Sequence, residues 1–252
     1  MLRPRLIPVL LLQGAGLVKT RRFKNPIYVG DPINVVRIFN DKEVDEIVVL
    51  DIAATAPGRG PDFDLVGRLT GEAFMPLCYG GGVRSLDTMR KLFRLGVEKV
   101  CLNTAAHDDP ELVRRASREF GRQSVVVSID VKRRFFGRRE VMLEGGRRRT
   151  RLDPAEFARS VESAGAGELL LNAIDRDGTR EGYDLDLLER VVAQVGLPVI
   201  LCGGAGELAH FRAALARGAA ACAAGSMFVF QPRTGAVLIT YPDISCWEGT
   251  PL

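Results

Sequence analysis

Apolar runs and amphipathic segments alternate from one end of this sequence to the other, and that rhythm leaves few folds open. The strand-like runs are Arg5–Leu11, Glu46–Ile52, Pro76–Tyr79, Lys99–Leu102, Ser124–Asp130, Glu168–Asn172, Pro198–Cys202 and Ala219–Ala224. They are apolar almost throughout, as strands covered on both faces must be. Helix-patterned segments begin near Asp31, Asp62, Ser85, Asp109, Asp153, Asp184 and Glu207. Most open on a side chain suited to capping the first N–H groups or to the helix dipole, and several close on glycine, at Gly96, Gly121, Gly165, Gly196 and Gly218. Strand–helix alternation repeated about eight times predicts a parallel sheet closed on itself, a single (βα)8 TIM barrel, rather than an open sheet. The 252 residues suit one such domain, spanning 1–252 with no interdomain linker. Residues 231–252, punctuated by Gly235, Pro242, Gly249 and Pro251, do not read as a full eighth helix and are expected to form an irregular tail.

The two halves of the sequence also answer each other. Gly80–Gly82 after the third strand corresponds to Gly203–Gly204 after the seventh, and Asn103-Thr104 after the fourth to Gly225-Ser226 after the eighth. Half-barrel pseudo-symmetry follows, with two similar sites on opposite sides of one mouth.

Charge and cysteine usage narrow the function classes. Of the net charge of +4, the stretch 132–151 holds +7, from nine basic residues against Glu140 and Glu144, so the rest of the chain carries −3. That distribution does not suit a nucleic-acid binder, which would be basic over a whole face. The stretch reads either as a solvated hairpin or loop, or as a mobile flap or docking surface that attracts an anionic substrate or partner. No apolar run approaches the roughly 18 residues of a membrane span, and the N-terminus lacks a signal-peptide cleavage pattern. Cys78, Cys101, Cys202 and Cys222 sit inside apolar runs without CxxC spacing, which suits reduced thiols in a cytoplasmic protein.

Chemistry is expected at the C-terminal ends of the strands. The turns Tyr79-Gly-Gly-Gly-Val-Arg-Ser85 and Cys202-Gly-Gly-Ala-Gly206 each leave a strand and enter a helix. Such turns let a backbone approach an anion closely and present N–H groups to it. Two of them, each followed one strand later by a small polar pair, point to a phosphorylated small molecule with a phosphate at each end. Asp51, Asp130 and Asp177 end or follow apolar runs at the same face; each either caps a loop or does acid/base work, and Asp130 is the best placed for the latter. Arg5, Glu46, Lys99 and Glu168 lie at the opposite ends of four strands. They read as ordinary solvation of the barrel bottom, or as a salt-bridged plug across its axis. His107 and His210 have no partners at ligand spacing, so neither a metal nor any cofactor is expected.

These segments resemble the cyclase subunit of imidazole glycerol phosphate synthase, the HisF family, over roughly residues 3–230. The resemblance rests on Gly30-Asp-Pro32, Val49-Leu-Asp-Ile52, Gly80–Arg84, Asn103-Thr-Ala105, Ile129-Asp130, Asp175–Thr179, Gly182-Tyr-Asp184 and Cys202–Gly206, in order and at matching spacing. It implies a glutaminase partner of the HisH type that releases ammonia at the barrel bottom, and passage of that ammonia to a bisphosphate at the mouth. It assigns one phosphate to Gly82, Asn103 and Thr104 and the other to Asp177, Gly178, Gly204, Gly225 and Ser226. It makes Asp130 one of two catalytic aspartates and Lys19 a lysine of the first active-site loop, and it places Asp51 in a matching segment at the same face. Arg5, Glu46, Lys99 and Glu168 then match the gate of the ammonia passage. One departure matters: Leu11 stands where the family's other catalytic aspartate ends strand one, which puts autonomous ring-closing, lyase-type chemistry in doubt. Segments such as Tyr28-Val-Gly-Asp-Pro-Ile33 and Ala224-Gly-Ser-Met-Phe-Val-Phe230 are similar to a HisF-like branch of acetamidino-sugar synthesis in surface-glycan pathways. That branch implies ammonia delivery to a separate sugar amidotransferase. The expectation is an ammonia-channelling subunit for sugar amidation, with the histidine-pathway cyclase as the alternative.

Overall fold

A computed structural model describes residues 4–56, 59–231 and 234–242. The strands are β1 (Arg5–Gln13), β2 (Gly16–Arg21), β3 (Lys24–Gly30), β4 (Ile47–Asp51), β5 (Leu77–Gly80), β6 (Lys99–Leu102), β7 (Val125–Arg133), β8 (Arg139–Leu143), β9 (Arg148–Arg149), β10 (Glu168–Ala173), β11 (Val199–Cys202) and β12 (Ala221–Ala224). The helices are α1 (Pro32–Asp41), α2 (Phe63–Glu72), α3 (Leu86–Arg94), α4 (Thr104–Asp108), α5 (Pro110–Phe120), α6 (Pro154–Ser163), α7 (Leu185–Val192), α8 (Leu208–Leu215) and α9 (Ser226–Val229). Strands β1, β4, β5, β6, β7, β10, β11 and β12 pair in parallel, and the ring closes where β12 meets β1. The expected TIM barrel is the fold observed.

The sequence signals translate directly into local structure. The side chains of Asp31, Asp62, Ser85, Asp109, Asp153 and Asp184 each accept a backbone N–H in the first turn of the following helix. Such a cap contributes on the order of 1 kcal/mol. Glu207 precedes α8 without a side-chain cap. Alternate residues of each strand then divide into two apolar layers. Leu6, Leu10 and Leu12 of β1 pack outward against the helices, whereas Ile7 and Val9 join Val48, Cys78, Cys101, Val126, Leu170, Ile200 and Ala223 in filling the barrel axis.

Some elements depart from the simple alternation. An antiparallel hairpin, β2–β3, is inserted between β1 and α1. A second antiparallel excursion, β8 and β9, extends β7 past its expected end at Asp130 to Arg133. This is the basic stretch, and it forms an antiparallel hairpin in which Arg134, Arg139, Arg148 and Arg149 are paired with acids. Glu140, 2% exposed, gathers Arg134, Arg149 and the N–H of Arg151. Arg139 pairs with Asp184, and Arg148 with Asp108 and Glu144.

The pseudo-symmetry expected of the halves is visible in α4 and α9. Asn103 and Gly225 are their N-cap residues, so Thr104 and Ser226 open two short helices directly after β6 and β12. After α9 the described residues run down the outside of the barrel, and none of them is helical. Leu238 N–H donates to Val229 and Thr240 N–H to Phe228, while Tyr241 packs on Phe228 and its hydroxyl reaches Leu6 O and Asp45 Oδ2. The irregular character expected of the tail holds over 234–242; residues 243–252, including Cys246 and Trp247, lie outside the described residues.

Candidate active site

The C-terminal ends of the parallel strands surround a cavity of about 350 Å³. Its wall includes Gly82, Asn103 and Thr104 on one side and Gly225 and Ser226 on the other, so the two pseudo-symmetric positions share one chamber. Lys19, Asp51, Asp130 and Asp177 line the same space. Gly178 and Gly204, assigned to phosphate by resemblance, are not part of this wall. Both are close-packing positions: a side chain on Gly178 would overlap Thr20 O, and one on Gly204 would overlap Gly182 O.

Asp130 is delivered to the mouth by β7, whose Val126 and Asp130 face the axis in alternation. Its carboxyl is 8% exposed, and burial pushes its pKa up to about 7. The Ser128 hydroxyl at 3.3 Å and the Asn172 amide act against that rise, and the charge of Asp177 adds to it. A carboxyl poised there exchanges a proton near neutrality, as a general acid/base requires.

The other acids are more engaged in structure. Asp51 accepts the N–H groups of Ala53 and Ala54 at 2.9 and 3.0 Å, so it caps the loop after β4 even as it lines the mouth. Asp177 takes the Thr20 hydroxyl at 2.8 Å and the Phe23 N–H at 3.3 Å, and its carbonyl accepts the N–H of Arg22. Its own N–H is donated to Ala173 O and Ile174 O. Asp177 therefore fastens the β2–β3 hairpin over the rim. Lys19, on β2, is 5% exposed; burial pulls its pKa down to about 8, against the pull of Asp177, and its ammonium donates to Val9 O beside Gly225.

Leu11 also faces the mouth, paired in register with Leu50, so one side of the chamber is apolar where Asp130 and Asn172 make the other polar. Several lining residues were not singled out from the sequence. Asn172 closes the apolar run of β10 as its register partner Asp130 closes that of β7, so its place at the mouth is written in the same pattern. Arg147, at the tip of the basic hairpin, reaches the wall as well.

At the other end of the barrel, the four charged residues come together. Arg5 pairs with Glu46 at 2.5 Å and with Glu168, and Lys99 pairs with Glu46 at 2.9 Å and Glu168 at 3.0 Å. The result is a closed ring of alternating sign over the axis. Burial lowers the pKa of both cations, but the two facing carboxylates outweigh it and leave both raised. Ion pairs buried this deeply contribute little net stability, since desolvation offsets their attraction.

Comparison with known proteins places this architecture. A family profile described as "Histidine biosynthesis protein" matches residues 5–233. The chain is 51% identical over 246 residues to the "Putative imidazole glycerol phosphate synthase subunit hisF2" of Pseudomonas aeruginosa, covering 97% of this chain and 98% of that one. It is 45% identical over 245 residues to a protein of Leptospira borgpetersenii, named in the same way as a HisF subunit, with 96% of each covered. Against the "Imidazole glycerol phosphate synthase subunit HisF" of Streptomyces avermitilis the identity is 44% over 226 residues, 90% of each.

Proposed function

This chain belongs to the HisF family of histidine biosynthesis proteins, and from that premise we propose that it is the cyclase-type subunit of a glutamine-dependent synthase of the imidazole glycerol phosphate type. The observation that carries the reading is the axis of the barrel. A charged ring closes one end, an apolar lumen follows, and a chamber holding one poised acid between two pseudo-symmetric loop pairs opens at the other. In this reading a HisH-like glutaminase docks on the ring face and releases ammonia there. The ring admits it, the lumen carries it past side chains that cannot protonate it, and a bisphosphate waits in the mouth. Gly82, Asn103 and Thr104 hold one phosphate; Ser226 and the backbone at Gly225 hold the other, with Gly178 and Gly204 shaping the loops behind. Asp130 moves the proton.

Leu11 favours a second reading. Paired-acid chemistry has no second carboxyl at that wall, which suits a subunit that delivers ammonia to a separate sugar amidotransferase in glycan synthesis. The names of the relatives favour the histidine-pathway reading, and we place it first.

Cyclisation of the histidine-pathway bisphosphate, with saturating ammonium salt in place of a glutaminase, separates the two. The expected outcome is turnover that Asp130→Asn lowers by about 10²- to 10⁴-fold, the usual range for loss of a general acid/base. Absence of turnover, with gain on Leu11→Asp, would transfer the assignment to ammonia delivery. Absence from both proteins would end the cyclase reading.

A further inference from the structure

A second cleft, of about 420 Å³, lies between the β2–β3 turn, the end of β7 and the segment that follows β10. Four cations stand in its wall: Arg21, Arg22, Lys24 and Lys132. Among the described residues, none of the four forms an ion pair, and Arg22 alone is anchored, its Nε donating to Asp175 O at 3.1 Å. Asp175 is the acid of the wall, and its carboxylate is partly spent, since Oδ2 accepts the Arg133 N–H at 2.6 Å. Four cations against that carboxylate leave the cleft with a net charge of +3. The neighbouring hairpin shows the contrast: Arg134, Arg139, Arg148 and Arg149 each meet an acid of this chain. Around the cleft the chain supplies no such partners.

Like charges gathered round a concavity repel one another, and the field they focus there draws in an anion. The turn cannot swing away to separate them, because Asp177 takes the N–H groups of both Arg22 and Phe23. Guanidinium groups grip phosphate oxygens in pairs, and ammonium groups add point charge. One phosphate group carries about −1.5 to −2 near neutrality, so a charge of +3 calls for two. Ile174 adds an apolar wall against which an organic body can rest. We propose that this cleft is a binding site for a small molecule bearing a diphosphate group, separate from the two phosphate positions of the mouth. The hairpin divides the two sites: Lys19, Thr20 and Phe23 line the chamber, whereas Arg21, Arg22 and Lys24 line the cleft.

The test titrates inorganic pyrophosphate calorimetrically into the magnesium-free protein at low salt. The double variant Arg21→Gln, Lys132→Gln is expected to weaken binding about 10²-fold, two charge-assisted contacts at about tenfold each. Neither side chain makes a hydrogen bond within the fold, and Lys24→Gln carries the test alone should the double variant fail to fold. Lys132→Arg keeps the charge and is expected to bind within about threefold of wild type. Unchanged affinity in the double variant would put the anion in the mouth and overturn the site, as would wild-type protein that binds no pyrophosphate. Orthophosphate at equal ionic strength is expected to bind about tenfold more weakly; equal binding would overturn the diphosphate assignment. Adenosine diphosphate separates the sources: tighter binding than pyrophosphate assigns the cleft to an organic diphosphate, weaker binding to the inorganic anion, and either supports the site. Hexaglutamate that binds more tightly than pyrophosphate would make the cleft a dock for an acidic protein surface and overturn the proposal. Binding is read without turnover, so failure of the cyclase reading leaves this result standing.

Discussion

Asp130 shows how much a single residue's environment costs this barrel. A carboxyl whose pKa rises from its ordinary value to about 7 on folding is favoured in its protonated form. Folding is therefore unaffected by this group below about pH 4, where both states hold the proton. As pH rises, the unfolded chain ionises first and gains, so stability is lost between about pH 4 and 7 and stays lost above. Asp130→Asn keeps an acceptor for Ser128 but has nothing to ionise. The variant is expected to be more stable than wild type at pH 8 by about 2–4 kcal/mol and nearly equal at pH 4. Urea denaturation at the two pH values measures this, and an equal difference at both would show that Asp130 titrates normally. A gain confined to high pH would make the site an example of function held at the expense of stability.

At the scale of elements, what the sequence made legible and what it hid have separate physical reasons. Helix starts were readable because Asp62, Ser85, Asp153 and their counterparts cap through their own side chains. Barrel strands were readable because both faces are buried. The β2–β3 hairpin was not, because β3 is exposed over Lys24–Tyr28 and so carries no alternation, and its turn places Arg22 and Phe23 at φ 55° and 61° without glycine. Two consecutive positive-φ residues make the turn twist with the strands, but arginine and phenylalanine give no sign of it. Tertiary contacts impose that geometry: both N–H groups are taken by Asp177, one by its carbonyl and one by its carboxylate. Asp177→Ala is accordingly expected to loosen the hairpin while leaving the barrel intact. Amide exchange at Phe23 should accelerate by about tenfold or more, the effect of one lost hydrogen bond, with β7 and β10 unchanged. Unchanged exchange at Phe23 would show that the hairpin holds itself.

Across the whole molecule, the two ends of the barrel are joined by more than the lumen. Arg180 donates to Ser226 O and Phe230 O at the mouth, and the segment that follows runs down to Tyr241, whose hydroxyl lies at 2.9 Å from both Leu6 O and Asp45 Oδ2. Leu6 and Asp45 are the chain neighbours of Arg5 and Glu46, so the tail braces two members of the charged ring. A braced ring that adds little stability is better explained as a barrier than as a staple. Lys99→Met tests this, since methionine fills similar space without the charge that bridges Glu46 and Glu168. Removing one partner leaves two buried carboxylates to Arg5 alone and is expected to cost about 3 kcal/mol. With a glutaminase bound, the ratio of glutamine hydrolysed to ammonia incorporated should rise above that of wild type, and Lys99→Arg should restore it in part. A folded Lys99→Met protein whose ratio matches wild type would make the ring a structural closure of the barrel floor, and ammonia would then have to enter the lumen by another route.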